Sequence, residues 1–132
     1  MRWTYSCPHC EATLNPEETI VLRAERGSRR FRVGFHPQPG NYEVELPEGE
    51  TIDPGTRWSF HCPVCDRDLT SELPDDLCAL DMRLHDERHR VYFSPVAGEK
   101  ATFVVGAEGL LADHGVHTDR YPEDLVHKKY RR

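Results

Sequence analysis

The chain has 132 residues, of which 37% are hydrophobic and 30% are charged, and its formal net charge is −6. This length fits one domain, and the acidic balance argues against a protein that coats nucleic acid through general positive charge. No stretch approaches the ~20 apolar residues of a membrane span, and the first residues lack the apolar run of a signal peptide. We therefore expect a cytoplasmic protein without a membrane partner, in which thiols stay reduced.

The first motif is a cysteine pair, Cys7-Pro8-His9-Cys10, which follows an aromatic segment that contains Trp3 and Tyr5. Two residues between the cysteines allow both thiolates of a tight turn to face one cation. The segment therefore predicts half of a metal site, entered by a short strand.

Residues 19–53 predict an inserted antiparallel β-meander. Every second residue is apolar over 20–24 and over 31–35, residues 25–28 have turn chemistry, and the pattern resumes over 42–46. The first two strands carry an arginine hairpin, which consists of Arg23, Arg26, Arg29, Arg30 and Arg32.

A second cysteine pair, Cys62-Pro63-Val64-Cys65, repeats the first. Residues 57–69 align with residues 2–14 without gaps, and we call these two segments the knuckles. The identical pairs are Arg2/Arg57, Trp3/Trp58, Cys7/Cys62, Pro8/Pro63, Cys10/Cys65 and Leu14/Leu69. The duplication predicts one structural Zn²⁺ held tetrahedrally by four thiolates.

On these residues the chain resembles the zinc-ribbon class, and more specifically the CpXC domain family, which is named for two Cys-Pro-x-Cys motifs. In that family a strand pair follows the second knuckle around a Leu-Tyr-His-Asp-like segment, which residues 84–95 resemble. The chain differs in its long insert between the knuckles, and in having Glu11 and Asp66 where a glycine often follows the second cysteine. The resemblance implies a zinc-ribbon fold and a bound metal, and it implies no activity.

Three alternatives to structural zinc stay open: iron, thiol–disulfide exchange, and a vestigial site without metal. Iron in a rubredoxin-like site uses the same two knuckles, although its usual spacer is shorter. A Cys-Pro-His-Cys pair can also serve thiol–disulfide exchange, although no βαβ pattern surrounds Cys7 and Cys10. The fifth cysteine, Cys78, lies on the apolar phase of a predicted strand, where a free cysteine behaves as a small core residue.

Residues 77–132 predict a C-terminal β-meander and a tail. Strands are predicted over 78–84, 91–93 and 102–105, with a turn over 85–89 and one helical turn within 106–115. Residues 122–132 begin with proline and acids and end with cations, which predicts a short helix. The predicted fold class is mainly β: a single antiparallel β domain over 1–132, built around a zinc ribbon, with a short C-terminal helix.

Two groups outside the cysteines are candidate functional sites. A basic binding surface would combine the arginine hairpin with the tail cations Lys128, Lys129, Arg131 and Arg132. Its structural alternative is that Glu43 and Glu45 neutralise Arg30 and Arg32 across neighbouring strands. A second polar site, metal-binding or catalytic, would need the convergence of His85, Asp86, His89, His114 and His117.

The sequence therefore favours a non-enzymatic zinc-binding module that acts in protein or nucleic-acid interaction. A protein partner fits the acidic balance better, and nucleic acid would bind through the arginine hairpin. The alternative is an enzyme, either a His/Asp-cluster hydrolase or a rubredoxin-like or thiol redox protein.

Overall fold

Nine β-strands in two antiparallel sheets make up the regular structure of the computed structural model, which describes residues 3–71, 77–84, 87–106 and 109–115. The strands are β1 (Thr4–Ser6), β2 (Ile20–Arg26), β3 (Arg29–Phe35), β4 (Val44–Glu45), β5 (Ser59–His61), β6 (Cys78–Leu84), β7 (Glu87–Phe93), β8 (Thr102–Gly106) and β9 (Gly109–His114). The described residues contain no helix, which confirms the prediction of a mainly β fold. Accordingly, no helix in these ranges has the length and apolar character needed to cross a membrane.

The predicted meanders are present in both sheets. One sheet has the order β4-β3-β2-β5 and the other the order β1-β6-β7-β8-β9, so strands that follow one another in sequence lie side by side. In β2, Ile20, Leu22 and Ala24 are buried while their neighbours are partly exposed, as period-2 alternation requires of a strand with one covered face.

The two knuckles exchange their entering strands. Strand β1 leads into the first knuckle but pairs with β6, which follows the second, with Tyr5 opposite Met82. Strand β5 leads into the second knuckle but pairs with β2, which follows the first, with Phe60 opposite Ala24. Each sheet therefore contains one strand that enters a knuckle of one repeat and several strands of the other repeat.

The duplication extends beyond the knuckles into the sheets. The β2–β3 hairpin and the β6–β7 hairpin have the same register, because Arg23 opposite Arg32 corresponds to Asp81 opposite Arg90 after a shift of 58 residues. The next pairing follows the same shift, since Phe35 opposite Val44 corresponds to Phe93 opposite Thr102. The identical pairs at this shift include Leu22/Leu80, Arg30/Arg88, Arg32/Arg90, Val33/Val91, Phe35/Phe93, Pro37/Pro95 and Gly40/Gly98.

One buried cluster joins the sheets. It takes Leu22, Val33 and Phe60 from the four-stranded sheet and Leu80 and Val91 from the five-stranded sheet. A second cluster lies on the opposite face of the five-stranded sheet and contains Leu77, Ala79, Tyr92, Ala101, Phe103 and Val105. The five-stranded sheet is therefore buried on two faces.

Three predictions about local structure need comment. The helical turn expected within 106–115 is wrong, because β9 pairs with β8 there, with a bulge between Val104 and Val105. Glycine, alanine and aspartate carry little intrinsic strand preference, so the neighbouring strand and not the local sequence determines β9. The turn expected over 85–89 is too long, since β7 begins at Glu87. The predicted helix over 122–132 lies outside the described residues.

Candidate metal centre

The two knuckles have the same backbone hydrogen bonds at a shift of 55 residues. In each knuckle, the N–H of the first cysteine donates to the carbonyl of the residue five positions later. The carbonyl of the same cysteine accepts from the N–H of the residue four positions later. The N–H of the closing leucine donates to the carbonyl of the aromatic residue in the entering strand. The pairs are Cys7 N–Ala12 O and Cys62 N–Arg67 O (both 3.0 Å), Glu11 N–Cys7 O and Asp66 N–Cys62 O (both 2.9 Å), and Leu14 N–Tyr5 O and Leu69 N–Phe60 O (both 2.8 Å). The sequence repeat is therefore also a repeat of geometry.

The residue after each knuckle's second cysteine has a left-handed backbone. The φ angles are 64° at Glu11 and 70° at Asp66, in the region that favours glycine. The knuckles thus keep the conformation that glycine would adopt with least strain, although the chain has acidic residues there.

Backbone N–H groups surround the first sulfur of each knuckle. The Cys7 Sγ accepts from the N–H of His9 at 3.3 Å and of Cys10 at 3.5 Å. The Cys62 Sγ accepts from Val64 and Cys65 at the same two distances. Such N–H···S contacts favour the negatively charged thiolate, which is the form that binds metal.

The four sulfurs face one another across the knuckles. The Cys7 and Cys65 Sγ atoms are 3.7 Å apart, the Cys10 and Cys62 Sγ atoms are also 3.7 Å apart, and all four lie within 4.8 Å of one another. Sulfurs bound at about 2.3 Å around a tetrahedral Zn²⁺ are separated by about 3.8 Å. A disulfide needs about 2.05 Å, and all five cysteines are free. The donor set therefore fits a tetrahedral metal ion.

The pKa values of three of these thiols are shifted in different directions. Burial raises the pKa of Cys7 to about 12 and also raises the pKa of Cys62. The backbone N–H of Arg67 lowers the pKa of Cys65. A cation at this site has to displace protons from the two buried sulfurs, and its charge supplies the stabilisation that solvent cannot.

A salt-bridge group lies beside the second knuckle. Glu25, His61 and Asp66 place ligand-type atoms close together. However, the Arg23 guanidinium donates to the Glu25 carboxylate at 2.7 Å and also pairs with Asp66. That hydrogen bond is the main cause of the lowered pKa of Glu25. Because Arg23 pairs with both carboxylates and Arg30 also pairs with Glu25, this group is a satisfied ion-pair network.

The arginine hairpin is partly neutralised, but by acids other than those predicted. Strand β4 pairs with the far end of β3, so Glu45 lies opposite Gly34 and not opposite Arg30 or Arg32. The observed partners are Glu25 and Asp66 for Arg23, Glu50 for Arg29 and Glu25 for Arg30. Arg26 and Arg32 are exposed and form no ion pair with any described residue.

The structure does not bring the two described histidines of the candidate polar site together. His89 belongs to β7. His114 is the last residue of β9, where it lies opposite Thr102 of β8, and Thr102 lies opposite Phe93 of β7. Four residues of strand, about 13 Å, separate His89 from Phe93. The remaining members of the two candidate sites lie outside the described residues: His85, Asp86, His117, Lys128, Lys129, Arg131 and Arg132.

Cys78 is a core residue, as predicted. It is fully buried in the cluster shared by the sheets, and burial raises the pKa of its thiol to about 12. A thiol held neutral in this way is a poor nucleophile.

A cavity between the sheets was not anticipated from the sequence. It has a volume of about 350 Å³ and receives lining residues from both repeats, including Phe35 and Phe93. The repeated Phe-x-Pro-x-x-Gly segments, 35–40 and 93–98, would have been the available signal.

Comparison of the chain with protein-family models, with curated proteins and with solved structures found no match.

Proposed function

We propose that the chain is a non-enzymatic binding domain whose fold is held by one structural Zn²⁺ on Cys7, Cys10, Cys62 and Cys65. The observation that carries this proposal is the pair of 3.7 Å sulfur–sulfur distances across the knuckles. Four thiolate ligands leave no open position for a substrate or an activated water, which is the arrangement of structural zinc sites. The two knuckles, 2–14 and 57–69, would then form a zinc ribbon within a single domain.

The metal would connect the two sheets at their exchanged strands. Strand β1 enters the first knuckle from one sheet and β5 enters the second knuckle from the other. Structural zinc contributes about 10–16 kcal/mol in small zinc peptides, against a typical domain stability of about 5–15 kcal/mol. With only 37% hydrophobic residues, the chain is one for which such a contribution matters.

A protein is the proposed partner, in the reducing environment of the cytoplasm. Acidic neighbours hold three of the five hairpin arginines, Arg23, Arg29 and Arg30, which leaves less free positive charge for phosphates. The separation of His89 and His114 supports a binding role over a His/Asp hydrolase.

The deciding experiment is metal analysis of the purified chain together with counting of reactive thiols. We expect one zinc per chain, no visible absorption, and thiols that react only after a chelator is added: the four ligands and, once the fold opens, the buried Cys78. Visible absorption with one iron per chain would replace zinc by a rubredoxin-like site. A stable fold with no metal, or with Cys7 and Cys10 joined by a disulfide, would overturn the proposal.

Nucleic-acid binding is tested separately with single-stranded oligonucleotides at low salt. We expect no mobility shift. A shift that weakens with salt and is lost in the Arg26→Ala, Arg32→Ala double variant, but retained in Glu48→Ala as control, would replace the protein partner by nucleic acid.

A further inference from the structure

The cavity of about 350 Å³ lies between the two sheets, close to where the repeats meet. Its lining contains the equivalent pairs Leu22 and Leu80, and Phe35 and Phe93. Phe60 adds to the same wall, with its ring 5.5 Å from that of Phe35 and 5.8 Å from that of Phe93. The interior of the cavity is therefore made largely of apolar side chains from both halves of the chain.

A void of this size is unusual in a small protein. Interiors pack as densely as organic crystals, and few contain voids larger than a water molecule, because empty volume forfeits contacts and lowers stability. Binding pockets for small molecules have volumes of roughly 300–1,000 Å³. The volume of this cavity, about 350 Å³, lies within that range.

The cavity opens onto exposed apolar side chains. Among the described residues, three large hydrophobic side chains are exposed: Val44 (45%), Leu46 (37%) and Val64 (68%). Val44 and Leu46 belong to the lining, whereas Val64 lies in the second knuckle and does not. Exposed apolar residues next to an apolar cavity mark an entrance for an apolar ligand.

Polar groups make up the smaller part of the lining, and some of them already form hydrogen bonds within the protein. Glu99 accepts a hydrogen bond from Ser94 Oγ at 2.8 Å, and the Tyr42 hydroxyl donates to the His114 carbonyl at 2.9 Å. The charged lining residues, Glu99 and Lys100, have opposite signs and adjacent positions, so the lining supplies no net charge for an ionic ligand. The complementary ligand is uncharged.

From these observations we propose that the cavity binds one small uncharged apolar molecule. A cavity of 150 Å³ accommodates benzene, so about 350 Å³ corresponds to a ligand of two to three aromatic rings or a hydrocarbon chain of similar volume. The ligand would lie between Phe35 and Leu80, with one end at Val44 and Leu46. This site is independent of the proposed metal and partner.

The test is titration of the full chain, as purified, with N-phenyl-1-naphthylamine, an uncharged probe that fluoresces in apolar surroundings. We expect saturable binding of one probe per chain. Leu46→Asp, which places a charge at the entrance, should weaken binding at least tenfold. Ser28→Asp adds a charge at an exposed residue of the β2–β3 turn that does not line the cavity, and it should bind as tightly as wild type.

A second variant fills the cavity with a large side chain from a lining loop residue. Ala97 lines the cavity, and its backbone N–H bonds to Thr56 O, a bond that a larger side chain leaves in place. Ala97→Trp should abolish probe binding while the chain stays folded by circular dichroism. Equal binding in wild type, Leu46→Asp and Ala97→Trp would overturn the proposal, as would the lack of saturable binding by the folded wild type. Because neither variant touches a cysteine, a failure here is distinguishable from failure of the zinc proposal.

Discussion

Phe35 and Phe93 hold equivalent places in the two repeats, and their rings meet with centroids 6.0 Å apart where the two sheets face each other. Each ring belongs to a different sheet, and both pack against Phe60. One of the contacts between the repeats is thus made by a residue and its own duplicate. A tilted aromatic pair of this kind contributes beyond the apolar area that it buries.

We expect Phe35→Ala and Phe93→Ala each to lower the free energy of unfolding by about 2–4 kcal/mol. The loss in the double variant should be smaller than the sum by about 0.5–1.5 kcal/mol, because each single change already removes the shared contact. Denaturant unfolding of all four proteins gives this coupling. Phe31 packs on Trp58 and serves as the control. The losses of unfolding free energy in Phe31→Ala and Phe93→Ala should add when the two are combined. Additive losses for Phe35→Ala and Phe93→Ala would contradict the contact between Phe35 and Phe93.

Asn15 fixes the strand that enters the first knuckle. It is fully buried, its Oδ1 accepts the Tyr5 N–H at 2.8 Å, and its Nδ2 donates to the Trp3 carbonyl at 2.7 Å. Asn15→Leu leaves two backbone groups of this strand unpaired in the interior, which should cost about 2–4 kcal/mol. Thr13 is an exposed residue of the same knuckle, and Thr13→Ala should cost below about 0.5 kcal/mol. A comparable loss in both variants, measured by thermal unfolding, would exclude this role for Asn15.

The buried Cys78 thiol should make stability fall at alkaline pH. An unfolded cysteine loses its proton near pH 9, whereas the folded pKa of Cys78 is about 12. The folded state therefore binds the proton more tightly, and this stabilisation, complete below pH 9, is lost as pH rises from 9 towards 12. Between pH 8 and 10 the wild type should lose about 1.4 kcal/mol more than Cys78→Ala. Parallel pH profiles for the two proteins would refute a neutral buried thiol.

The sequence predicts local features of this protein well and long-range pairing poorly. The cysteine spacing and the ungapped repeat predict the four-sulfur cluster, because metal ligands are defined by residue type and short spacing. Alternation identifies the buried face of β2, but it does not identify β5 as a neighbour, since period 2 carries no information about the partner strand. The exchange of β1 and β5 between the sheets is therefore visible only in the structure.

The second part of the repeat was present in the sequence but was hidden by an insertion. The connection from the closing leucine to the next strand is three residues longer after Leu69 than after Leu14, so an ungapped comparison stops there. Allowing for this gap aligns residues 30–40 with 88–98. The structure also corrects the ion-pair partner of Arg30, because the register of β4 on β3 depends on the loop over 36–43, whose length has no simple signature.

Loss of the metal should unfold both sheets together. Strand β1 leads into the first knuckle and pairs in one sheet, and β5 leads into the second knuckle and pairs in the other. A metal ion on the four sulfurs would therefore connect the two sheets through these strands. We expect a strong chelator, or Cys62→Ser, to remove a free energy comparable to the whole stability, about 5–15 kcal/mol. Far-ultraviolet circular dichroism should then show loss of both sheets in one transition, and added Zn²⁺ should restore the wild type but not Cys62→Ser. Cys78→Ser is the matched control, because it changes the one cysteine outside the cluster and should retain the metal. An unchanged melting temperature after verified removal of the metal would show that the packing of the sheets, and not the cysteine cluster, holds the fold.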